Sequence, residues 1–140
     1  MRPASIVQFE RLFLASIAAG AIGDALAFYG AMSSAKADAL VAKFGFGTLI
    51  GGQIFLYAIA LGLWYLIAHR HSVFAKWAVS VWFVLSTCSM ALALFQGAFG
   101  LSLVTFFSAA AYLLRAWSVS YLFKPDADAW FARPAPPSAG

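Results

Sequence analysis

Four apolar segments, at residues 12–32, 44–68, 77–96 and 101–123, limit what this chain can fold into. Each is about 20 residues or longer, the length at which a helix crosses the roughly 30 Å hydrocarbon layer of a bilayer. Charge is correspondingly scarce: 10% of the 140 residues are charged and 64% are hydrophobic, whereas soluble domains carry about 25% charged residues. The expected fold is all-α, an antiparallel four-helix membrane bundle over residues 1–124. An interfacial turn at 125–133 and a disordered, Pro-rich tail at 134–140 should follow.

The basic residues sort by connection. Arg2 and Arg11 precede the first span, Arg70 and Lys76 lie between the second and third, and Lys124 and Arg133 follow the fourth, against Lys36 and Lys43 in the first connection. Leaving aside Arg115 inside a span, the count is six against two, which by the positive-inside rule puts both termini in the cytoplasm. Distributed in this way, the net charge of +4 makes no basic face for nucleic acid. The first apolar run is longer than a signal-peptide core and should be retained. Cys88 is the lone cysteine, which excludes an internal disulfide or a thiol pair.

Ser5 and Gln8 have capping-box spacing, so the first helix should begin before the membrane. The first connection, with Lys36, Asp38 and Lys43 among Leu40, Val41 and Phe44, fits either a short interfacial helix or a solvated loop. Gly97 and Gly100 permit a tight reversal that would make the third and fourth spans a close hairpin. His69 and His71, two residues apart, point to different sides of a helix and read as interface residues, with no metal site. Pro125 should stop the fourth span and Asp126 cap one further turn, with Trp77, Trp130 and Phe131 as headgroup anchors.

One carboxylate, Asp24, stands inside the first span. At 1.5 Å per residue it lies about 12 Å from the outer end at Met32, and Gln53 lies about 13 Å from the outer end of the second span. Ser86 and Ser89 in the third span and Ser108 and Tyr112 in the fourth fall at similar depth, with Arg115 somewhat deeper. These residues define an outward-of-centre polar layer. Side chains tilt toward their helix N-terminus, so Asp24 leans inward and Arg115 outward, and an Asp24–Arg115 contact supported by Gln53 and Tyr112 is expected. The competing readings are a snorkelling Arg115 and an Asp24 carboxyl that only joins helices by hydrogen bonding. Gly20 and Gly23, together with the Gly47/Gly51 GxxxG, should let the first two helices approach closely around a buried Asp24–Gln53 bond.

The stretches RPASIVQFERLFLAS, HRHSVFAKW and YLFKPDADAWFARP resemble an uncharacterised group of small four-span membrane proteins of sphingomonad-like alphaproteobacteria. The resemblance covers most of the chain and implies a bacterial inner membrane and no activity. Neither the Glu-Arg and Asn pattern of the membrane glutathione-handling enzymes nor the first-span Glu of the small multidrug exporters is found.

No HExxH, nucleophile elbow, P-loop, cysteine cluster or facing intramembrane His pair occurs in the sequence. The expectation is a non-catalytic membrane protein without cofactors, an accessory or scaffold subunit contacting lipid and either a larger complex, such as a bioenergetic one, or itself. The alternative is a small homo-oligomeric transporter or channel with Asp24 as a proton- or solute-linked site.

Overall fold

A computed structural model describes residues 2–32, 41–95, 100 and 102–132. It contains helices α1 (Ala4–Met32), α2 (Phe46–Arg70), α3 (Val73–Phe95), α4 (Leu103–Tyr121) and a short α5 (Pro125–Phe131), with a further helical turn at 41–44. The first four are long and apolar enough to cross a membrane. At 29 residues α1 measures about 43 Å, more than a bilayer core, and so extends past the hydrocarbon. The GxG at 45–47 starts α2, where Gly45 takes a φ of 77°, a conformation costly for any side chain. Ser102 caps α4 by accepting from the Thr105 amide at 3.2 Å.

The long helices run antiparallel. The start of α1, the end of α2, the start of α3 and the end of α4 all meet α5, at the terminal end of the bundle. Ser5 of α1, Ile67 of α2 and Lys76 of α3 each hydrogen-bond α5 or its first turn. The core lies at this end: Ile6, Phe9, Ile67, Ala75, Leu122 and Ala127 are fully buried, with Trp130 among them. Toward the far end α2 loses its burial, although Phe46 still meets Phe28 of α1 edge-on at 5.6 Å. Residues 51–56 of α2 are all exposed, whereas Ala60, Ile67 and Ala68, further along the same helix, are buried.

The most extensive backbone packing is between α1 and α4. A Cβ on Gly20 would sit 3.5 Å from the Tyr57 hydroxyl of α2 and 3.8 Å from the Ala111 Cβ of α4, and one on Gly23 3.3 Å from the Phe107 Cβ, so the absence of side chains permits both approaches. The expected pairing of glycine faces between α1 and α2 is corrected on the α2 side: Gly20 does border α2, but a Cβ added at Gly47 or Gly51 would meet nothing within 4 Å, so neither packs on another helix among the described residues. The third and fourth spans also do not form the expected close hairpin. They meet through side chains, Phe83 stacked on Tyr112 at 5.4 Å and Thr87 bonded to the Tyr112 hydroxyl at 3.0 Å, because α1 occupies the near side of α4. The 96–99 part of their connection, most of the first connection (33–40) and the 134–140 tail lie outside the described residues.

The expected interfacial turn is instead part of the core. Trp130 is 6% exposed and its Nε1 donates to the Ile67 carbonyl at 3.1 Å, so it plugs the terminal end rather than anchoring in headgroups. Phe131 is half-buried over Lys76, and Trp77 alone of the three expected anchors is exposed. Ser5 is no N-cap but lies in the first turn of α1. Its amide donates 3.1 Å to the Asp126 carboxylate, which supplies the cap from another element.

Candidate functional site

The intramembrane polar residues divide into separate clusters. Asp24 of α1 faces α2, where Tyr57 Oη donates to Asp24 Oδ2 at 2.6 Å and Gln53 Nε2 donates to the same oxygen. Gln53 and Tyr57 are four residues apart and therefore project from one face of α2. Two donors on Oδ2 leave Oδ1 without a donor among the described residues.

Asp24 is not buried. It opens onto a groove of about 520 Å³ between the halves of α1 and α2 away from the terminal end, walled by Ala21, Ala25, Phe28, Ile50 and Ile54. The expected Asp24–Gln53 bond is present, while the expected enclosure is absent because α1 packs on α4 and leaves α2 splayed.

The expected Asp24–Arg115 contact is not made. The ion pairs among the described residues are Arg2–Glu10 and Lys76–Asp128. Arg115 lies within electrostatic reach of Tyr57 and Asp24, so Tyr57 stands where the sequence placed the guanidinium. Its Nε is buried with no hydrogen-bond partner and borders a void of about 20 Å³ walled by Phe13, Ala60, Val79, Trp82 and Phe83. That volume holds about one water molecule.

The rest of the expected layer is occupied locally. Ser86 donates to the Trp82 carbonyl at 2.8 Å and Ser89 to the Leu85 carbonyl at 3.1 Å, each within its own helix. Tyr112 is bonded to Thr87 and supports neither Asp24 nor Arg115. Tyr57 is the polar partner that sequence reasoning missed. The position of Tyr57 one turn after Gln53 is the signal that could have found it.

A second cluster closes the terminal end. Lys76, 8% exposed, pairs with Asp128 at 3.0 Å and lies 4.7 Å from the Phe123 ring and 5.1 Å from that of Phe131. The left-handed cap of α2, His71, packs edge-on to Trp130 at 4.0 Å. His69 stacks on Tyr65 at 4.9 Å, on the other side of the chain. The Ser5 hydroxyl, close by without a hydrogen bond of normal geometry, and the Ser5 amide hold the Asp126 carboxyl below its ordinary value. These contacts fix α5 to three helices, a structural task.

No family model matches this chain, and neither curated proteins nor solved structures gave a match.

Proposed function

We propose that this is a non-catalytic accessory or scaffold subunit of a membrane complex, with the α1–α2 groove as its contact surface. The observation that carries the reading is Asp24, an exposed carboxylate held by Gln53 and Tyr57 in a groove whose remaining walls are apolar. A charge facing hydrocarbon costs about 2.5–3.5 kcal/mol on insertion scales, and a partner that covers it removes much of that cost. Gly47 and Gly51, outside the groove lining, leave a further bare stretch of α2 where small residues let another helix approach. The bilayer we infer is a bacterial inner membrane with both termini cytoplasmic, supported by the six-to-two split of basic residues.

Extraction of the native membrane in mild detergent tests this, comparing wild type with Asp24→Asn. A stoichiometric larger complex around the wild-type chain supports the accessory role; a bare monomer or dimer refutes it. Topology is read in a Cys88→Ser background: Lys43→Cys should label with an impermeant maleimide on intact spheroplasts and Ala132→Cys should not.

A second reading, a small transporter using Asp24 as a proton- or solute-linked site, draws on the same open groove. Proton-coupled flux in proteoliposomes that disappears in Asp24→Asn would favour it.

A further inference from the structure

We infer that the occupant of the α1–α2 groove is a transmembrane helix of a different protein carrying one lysine or arginine about 12 Å below the outer end of α1. This rests on the accessory reading and names the partner's chemistry. Two features define the complement. Oδ2 of Asp24 is held by Gln53 and Tyr57 while Oδ1 has no donor among the described residues, so a fixed carboxylate has one oxygen open to an incoming donor. The walls beside it are small or aliphatic, Ala21 and Ala25 on α1 and Ile50 and Ile54 on α2, and they follow about two turns of each helix.

Among the described residues, a second copy of the chain supplies no cation at this depth. Arg115, the basic residue nearest this depth, turns into the bundle beside Phe13, Val79 and Trp82. Among the other described basic residues, Lys76 is sequestered by Asp128 and two rings at the terminal end, and Lys43 lies ten residues outward of Gln53. Two copies facing through their grooves would instead oppose Asp24 to Asp24, a like-charge contact. A small lipophilic cation meets the charge requirement but not the shape, since the groove is an elongated channel open along its side and does not enclose a compact molecule.

The full-length protein in phosphatidylcholine vesicles, mixed with a labelled Leu/Ala peptide of about 20 residues carrying one central lysine, tests this by energy transfer. The peptide should associate about 5- to 30-fold more tightly than its all-apolar twin. Asp24→Asn should erase that preference. Ile54→Trp, which fills the groove at a side chain already 63% exposed, should weaken binding of the lysine peptide while leaving the helical spectrum unchanged. Equal binding of both peptides to the wild type, or a lysine preference that survives Asp24→Asn, overturns the proposal. So does Asp24-dependent binding of tetraphenylphosphonium with no peptide binding, which would make the groove a small-molecule site. A native complex retained by both wild type and Asp24→Asn, alongside failure of the peptide, would leave the accessory role standing and remove only this chemistry.

Discussion

Tyr57 and Asp24 are joined across the α1–α2 groove by a 2.6 Å hydrogen bond, and together with Gln53 they form the polar contact between these two helices away from the terminal end, where Phe28 and Phe46 add an edge-on ring contact. Removing the tyrosine hydroxyl should therefore be felt in helix association. Tyr57→Phe is expected to lower unfolding stability in detergent by about 0.6 kcal/mol, up to about 1.7, the measured range for such interhelical bonds. Gln53→Leu should act alike, and the double mutant should fall short of additivity because both donors share Oδ2. Chemical denaturation of the three variants checks this.

Glycine substitutions should separate the packed face from the open one. Gly23→Leu drives a side chain into Phe107 and Ser108 and should cost about 1–3 kcal/mol. Gly51→Leu meets open space and should change the stability of the isolated protein by less than about 0.5 kcal/mol. Melting curves of the two variants decide it, and similar losses in both would contradict the packing of α1 on α4.

Lys76 and Asp128 should not be equivalent partners. Asp128 is 67% exposed at its side chain and asparagine keeps an oxygen that can accept from Lys76 Nζ, so Asp128→Asn should be the milder change. Lys76→Ala also strips the buried stem from beneath Phe123 and Phe131 and should cost more. Thermal unfolding of each single variant gives the comparison.

The Asp126 carboxyl, lowered by its Ser5 contacts, gives an acid dependence of known sign. Its contribution is present above the ordinary carboxylate value of 3.8 and is lost as pH falls through the lower folded value. Asp126→Asn should flatten the stability profile below pH 3.8, read by unfolding at stepped pH.

Much of the architecture is legible in the sequence because a bilayer imposes length: four apolar runs of membrane-spanning size became four long helices. The joint depth of Asp24 and Gln53 was legible for the same reason, since rise per residue converts position into level. Rotation about each helix axis was not. α1 and α2 are apolar nearly all round, so no periodicity tells which face is turned to which neighbour. That gap concealed the pairing of α1 with α4 and led to Arg115 being expected in the place that Tyr57 holds. Trp130 was misplaced because an aromatic beside basic residues at a span end has the pattern of a headgroup anchor. Only tertiary contact with Ile67 and His71 reveals a plug.

Photo-crosslinking from within the groove is the most direct test of the central claim, that the open carboxylate faces another subunit. A photoreactive residue replacing Ile54, on the groove wall, is compared in native membranes with one replacing Leu113, 65% exposed on α4 outside it. The expected result is one discrete protein adduct from position 54, lost on Asp24→Asn, and none from position 113. Lipid adducts alone from both positions would contradict the claim.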